Sequence, residues 1–114
     1  SNFAGSVESN IAELSLAPPE FQLLQNYPNP FNASTTFSFV LPAESNVTLE
    51  IYDVTGRRVA DIFRNRRYQA GRNNVPVNFS NGFASGVYFY RLTMNPISAN
   101  YSESTKIRKL MLLK

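Results

Sequence analysis

Apolar and polar positions alternate along most of this chain with a period of two. In residues 35–41 (TTFSFVL), Phe37, Phe39 and Leu41 fall on one face and Thr36, Ser38 and Val40 on the other. In residues 47–53 (VTLEIYD), Val47, Leu49 and Ile51 take one face, while Thr48, Glu50 and Tyr52 take a solvent face. This period marks strands buried on one side. Residues 42–46 have the turn chemistry to join the two. Residues 53–56 (DVTG) read as a tight turn, followed by a strand over 57–63 with Val59 and one of Ile62 or Phe63 directed at the core. Residues 65–74 read as a polar loop. Residues 75–79 alternate again, and Pro76 calls for a sheet edge or an outward nitrogen. Residues 80–82 (SNG) are a turn. Residues 86–94 (GVYFYRLTM) form the most strand-like run, with Tyr88, Tyr90 and Leu92 inward and Arg91 and Thr93 outward. A polar loop over 95–103 precedes a last strand over 106–113.

Residues 1–20 read differently. They are rich in Ser, Asn and Ala and end near Pro18-Pro19, which favours an extended linker. Val7, Ile11 and Leu14 stand at helical spacing, with Asn10 and Glu13 placed as a capping box, so a short helix is the other reading. The division is a linker over 1–20 and a domain over 21–114. About seven short strands separated by turn signals predict an all-β, antiparallel sandwich.

Composition narrows the chemistry. The 114 residues include 9 Phe and 6 Tyr, ample for a core, but neither Cys nor His. Disulfides, thiol nucleophiles, serine–histidine triads and the usual zinc sites are thereby excluded. The carboxylates Glu44, Glu50, Asp53, Asp61 and Glu103 are scattered and read as turn formers and solvated charges. No glycine-rich phosphate loop and no acidic calcium loop is present, and a calcium site could be drawn only from loop carbonyls with Asp53 or Glu103. The longest apolar run, residues 110–113, is too short to cross a membrane as a helix, and the sequence opens without a basic-then-apolar leader. No cofactor is implied.

The net charge of +3 hides an asymmetry. Residues 1–25 hold Glu8, Glu13 and Glu20 without a base, whereas residues 57–72 hold six arginines against Asp61. Arg64, Arg66, Arg67 and Arg72, interleaved with Phe63 and Tyr68, are candidate anion contacts. No nucleic-acid module matches, which leaves an acidic glycan, lipopolysaccharide or plain solvation. Tyr27, Tyr52, Tyr68 and Tyr101 supply flat rings for a carbohydrate-binding alternative.

A specific resemblance begins at Asn26-Tyr27-Pro28-Asn29-Pro30-Phe31-Asn32. It continues through Ser34-Thr35-Thr36, residues 47–49 and 51–60, Ala70-Gly71-Arg72, residues 84–92, and the ending Lys109-Leu110-Met111-Leu112-Leu113-Lys114. In this order and spacing the chain resembles the C-terminal sorting domain, type A, of proteins exported by the bacterial type IX secretion system. The likeness covers residues 23–114. Departures are Ala33 where the family often has Pro, the arginine-rich stretch at 65–72, and a longer loop at 95–103.

The resemblance implies a non-catalytic immunoglobulin-like sandwich that sends a larger protein to the cell surface or the medium. The implied partners are the outer-membrane translocon, the N-terminal cargo domains of the parent protein, and a sortase-like peptidase cutting within residues 1–25. Removal comes with or without attachment of the cargo to anionic lipopolysaccharide. Residues that carry the motifs are Asn29, Pro30, Phe31, Gly56, Gly71, Gly86, Tyr88, Lys109 and Lys114. Each serves the fold or the translocon. Phe31 can plug the end of the sandwich, and Tyr88 can bond its hydroxyl to backbone. The terminal strand is the best recognition candidate, because an edge strand can be read by strand addition. The alternative function is a structural or carbohydrate-binding module appended to a glycoside hydrolase.

Overall fold

The computed structural model describes residues 20–79 and 82–113. Residues 1–19, with the expected linker and the alternative short helix, Lys114, and two of the three residues of the 80–82 turn lie outside them. Seven strands are found among the described residues: β1 (Gln22–Leu23), β2 (Ser34–Leu41), β3 (Ser45–Tyr52), β4 (Arg58–Tyr68), β5 (Gly71–Asn78), β6 (Gly86–Pro96) and β7 (Ser104–Leu112). They form two antiparallel sheets, ordered β1-β2-β5 and β4-β3-β6-β7. This is the expected all-β, immunoglobulin-like sandwich. β3–β4 and β6–β7 are hairpins within one sheet, whereas β2–β3, β4–β5 and β5–β6 pass between sheets.

The alternating residues fill the space between the sheets. Phe37, Phe39 and Leu41 of β2 face Val47, Leu49 and Ile51 of β3, and all six are fully buried. Tyr90, Leu92 and Met94 of β6 and Leu110 and Leu112 of β7 complete the centre. Rings close both ends. At one end Phe31, Phe37, Phe79 and Phe83 form a chain with centroids 5.1–6.2 Å apart, and at the other Phe39, Phe63 and Tyr68 cluster at 5.2–6.5 Å. Offset and edge-on ring pairs add roughly 0.5–1.5 kcal/mol each beyond area burial.

Three sequence expectations are corrected. The polar stretch at 65–74 is not a loop: β4 runs to Tyr68 and β5 starts at Gly71. Both are edge strands, and their 65–68 and 71–74 portions carry polar side chains, so no apolar alternation announces those portions. Backbone pairing holds them instead, with Tyr68, Arg67 and Arg66 opposite Ser45, Asn46 and Val47, and Gly71–Asn78 along the whole of β2. The strand therefore crosses between sheets at residues 69–70, where Gly71 takes φ +95°, a value that side chains resist.

Val59 faces outward and is 37% exposed, while Phe63 is buried. The reason is a set of register shifts along β3–β4, one of which leaves Val59 as the extra residue between the Ile51–Ala60 and Tyr52–Arg58 pairs. Another places Asn65 at φ +52°, its N–H donated to the Thr48 hydroxyl at 3.1 Å. The third correction concerns Glu50. It lies on the outer face as expected but is buried beneath its neighbours. Pro76 sits on β5, a sheet edge, where its missing N–H costs no ladder bond.

Candidate functional site

The first family-like motif and the last strand lie far apart in sequence and meet in space. After β1 the chain leaves the three-stranded sheet and crosses the open flank of the sandwich. On one side it keeps pairing with β2, through Leu24 N–H to Ser38 C=O (3.0 Å) and a two-way Tyr27–Thr36 bridge at 2.9 and 3.1 Å. On the other side it reaches β6 and β7. The buried Tyr90 hydroxyl donates to Leu24 C=O (2.8 Å) and accepts from Asn26 N–H (3.0 Å). Burial pushes its phenol up to about 12.

Asn26 is the buried centre of this crossing. Its side-chain amide donates to Pro28 C=O (3.1 Å) and to the Thr35 hydroxyl (3.0 Å), which itself donates to Pro28 C=O (2.9 Å). Its Oδ1 accepts from Gln25 Nε2 at 2.7 Å. A buried amide with its donors and acceptor satisfied specifies one arrangement of the chain. The Tyr27–Pro28 and Asn29–Pro30 peptide bonds are both cis.

The crossing then clasps the terminal strand. Asn29 Oδ1 accepts the Met111 N–H at 2.9 Å. Phe31 donates to Met111 C=O (3.0 Å) and accepts from Leu113 N–H (2.8 Å), a parallel bridge beside Leu112. Gln25 Nε2 donates to Lys109 C=O at 2.8 Å, and Arg108 Nε donates to Leu23 C=O. Phe31 is buried against Phe79, 5.1 Å between centroids. The clasp thus seals the last part of the β7 edge.

The remaining motif residues sit apart from it. Gly56 closes the β3–β4 hairpin at φ +89°. Asp53 braces that turn, accepting on Oδ1 from the Thr55 hydroxyl (2.6 Å) and from the Thr55 and Arg57 N–H groups (3.0 Å each). These bonds hold its carboxyl below the usual range. Gly71 and Gly86 flank β5 and β6, both at positive φ. Pro30 lies within the crossing. Tyr88 is half-buried, packs on Phe83, and donates its hydroxyl to Ala84 C=O at 2.7 Å. The Lys109 side chain is on the exposed outer face of β7.

The four candidate anion contacts do not form one clamp. Arg64 reaches Asp61 (3.2 Å) and Glu50 (3.6 Å), and Arg67 pairs with Glu44 at 3.0 Å. Arg66 lies over the Phe63 ring, 5.3 Å from its centroid, and Arg72 donates to Asn74 at 3.3 Å. Arg64, Arg66 and Arg67 lie on β4 of one sheet and Arg72 on β5 of the other.

Sequence reasoning missed the Glu50 centre. Arg91 donates Nε and Nη2 to Glu50 Oε1 at 3.0 and 2.7 Å, Arg58 lies 3.4 Å from Oε2, and the Tyr52 hydroxyl donates to Oε1 at 3.2 Å. Burial alone would raise this carboxyl, but the Arg91 hydrogen bonds and charge outweigh it and hold it below its ordinary value. The same partnership raises Arg91. Every donor here is a cation or a phenol, and Asp61, opposite Glu50 in the β3–β4 ladder, shares Arg58 and Arg64 with it. No cluster of three potential metal ligands occurs among the described residues. The tyrosines weighed as a sugar platform have other surroundings. Tyr68 packs on Phe39 and Phe63, Tyr52 lies under Arg91 at 4.9 Å, and Tyr27 is exposed on the crossing.

No curated protein matches the chain at a significant level. A family model described as a secretion system C-terminal sorting domain matches residues 25–110, from the start of the clasp nearly to the end of β7. Domains of this family are type IX sorting signals, generally non-catalytic, that mark proteins for the cell surface or for secretion. With its motifs folded into one sandwich and its match spanning most of the sequence, this chain belongs to the secretion system C-terminal sorting domain family.

Proposed function

We propose that the signal is read at the terminal strand, and that the Asn26–Phe31 crossing presents this strand in a fixed register. The observation that carries the reading is the clasp itself: Asn29 and Phe31 bind the backbone of Met111 and Leu113. On this reading Asn29, Pro30 and Phe31 position the recognised strand, while Gly56, Gly71, Gly86 and Tyr88 serve the fold. The chain has no catalytic role of its own. The type IX translocon is its partner, a sortase-like peptidase separates it from cargo within residues 1–25, and the cargo is then released or attached to anionic lipopolysaccharide.

The test is export of a periplasmically targeted fluorescent reporter fused to residues 1–114 in a type IX-competent host. Controls are a translocon-null strain and a proven sorting domain on the same reporter. Deleting residues 110–114 is a poor probe, because Leu110 and Leu112 are core residues whose loss costs several kcal/mol each. A polar extension appended after Lys114 leaves the core intact. Reporter outside the cell with the free terminus, and trapped inside with the extension or without the translocon, supports the reading. Equal export of the extended form would move recognition away from the terminal strand.

A further inference from the structure

The clasp covers only the end of β7, and the rest of that edge is open. In the β6–β7 ladder the register is unbroken from Met94–Ser104 to Gly86–Leu112. Met111 and Leu113 turn their backbone groups away from β6 toward Asn29 and Phe31. Backbone groups alternate sides along an antiparallel strand, so Thr105, Ile107 and Lys109 also point theirs outward. Gln25 takes the Lys109 carbonyl. Among the described residues, the outward N–H and C=O of Thr105 and Ile107 have no partner. An edge of this kind is a template for another strand.

The side chains around it state what would fit. On the inner flank, Lys106 lies over the Phe21 ring at 5.7 Å and Arg108 reaches Leu23, so two cations border the groove between β1 and β7. On the outer face Ile107 is 60% exposed and borders a shallow hollow of about 340 Å³ with Tyr52, Val54 and Phe89. Lys109 stands one row further along this face. The inner flank carries Lys106 and Arg108, and the outer face sets Ile107, Val54 and Phe89 beside Arg91 and Lys109, so the edge complements a strand with acidic residues on its inner face and an apolar residue beside Ile107. A second copy of β7 does not fit, because an antiparallel pair centred on Ile107 sets Lys106 opposite Arg108, like charge against like. The chain already demonstrates the mode, since Phe31 adds to the same edge two residue pairs further on.

We infer that the open edge of β7, Thr105–Lys109, docks an extended segment of a partner protein that alternates apolar and acidic side chains and adds to the sheet as a fifth strand. This inference deepens the terminal-strand reading above by giving the partner's chemistry. Guest side chains beside Ile107 pack toward the Tyr52–Phe89 hollow, and acidic ones lie beside Lys106 and Arg108.

The probe is an end-capped seven-residue peptide alternating valine and glutamate, with a valine–lysine peptide as control. Amide exchange is followed by NMR on the full chain. The valine–glutamate peptide is expected to slow exchange at Thr105 and Ile107 at least tenfold, and the control to leave it unchanged. Ile107→Pro removes the outward N–H without touching the β6 ladder, so it folds normally and loses the effect. Lys106→Glu weakens binding at least fivefold. No slowing, equal slowing by both peptides, or protection that arises from self-association would overturn the inference. The reporter fusion separates the two readings. Export of Ile107→Pro at the wild-type level would sink strand docking and leave the sorting function standing. Failure of the unmodified chain to export would sink the terminal-strand reading whatever the peptide does.

Discussion

Tyr90→Phe removes one oxygen from the junction of the two sheets and tests how the clasp is held. The ring is fully buried against Phe37, 4.9 Å between centroids, and phenylalanine keeps that contact. The hydroxyl's two partners, Asn26 N–H and Leu24 C=O, lose their bonds. The Asn26 group is buried, and an orphaned buried donor costs about 1–3 kcal/mol. The Leu24 carbonyl is partly buried and loses an ordinary net bond of about 1 kcal/mol. Relief from burying the phenol oxygen returns part of this, leaving about 2–3 kcal/mol, or roughly 10 °C in Tm for a domain of this size. Urea unfolding followed by circular dichroism measures it, with an unchanged m-value as the check that compactness is preserved. Tyr88→Phe is the internal comparison: its hydroxyl bonds a carbonyl in an exposed setting, where water replaces it for under about 1 kcal/mol. The phenol also leaves a signature in pH. Its folded-state pKa is raised from 10.0 to about 12, so its contribution is complete below pH 10 and is lost as pH rises toward 12. Wild type should therefore lose more stability over that window than Tyr90→Phe. A loss below about 0.5 kcal/mol, or one equal to that of Tyr88→Phe, would refute the argument that this hydroxyl joins the sheets.

Other outcomes follow from the same geometry. Glu50 is held below its ordinary 4.5, so its stabilisation is present above that value and lost as pH falls through the lower folded-state value. Glu50→Gln should cost about 1 kcal/mol at pH 7, its arginine partners being half exposed, and thermal melts below pH 4 should show that gap closing. Asn29→Ala leaves the Met111 N–H without its acceptor; about 1 kcal/mol of stability should go, and hydrogen exchange at Met111 should rise severalfold while the β2 amides stay unchanged. Gly56→Ala meets no atom within 4 Å but forces a side chain to φ +89°, so a calorimetric scan should show about 1 kcal/mol lost through backbone strain alone.

Much of the fold was legible in the chain itself. β2, β3 and the centre of β6 each bury one face, so Phe37, Leu49 and Tyr90 declare their side by a period of two. The motif at residues 26–32 and the ending at 109–114 pointed to the family before any contact was known. The edges were legible only in part. Residues 57–63 and 75–79 read as strands, but the 64–68 and 71–74 portions of β4 and β5 are polar, and their strand character comes from backbone bonds to β3 and β2, which leave no mark on residue type. Val59 followed the alternation in sequence and lost it at a bulge, because one inserted residue shifts every later side chain to the other face.

Local sequence determined which residues turn inward, because burial on one face imposes its period strand by strand. Only the tertiary structure decided what lies beside what. Glu50 reads as a solvated charge until Arg58 and Arg91 arrive from the neighbouring strands to cover it. Gln25 and Lys109 are 84 residues apart, and Asn29 and Met111 82, yet their hydrogen bonds bind the first motif to the last strand. Such pairings are set by sheet order and register across the whole sandwich, and no periodicity within either segment encodes them.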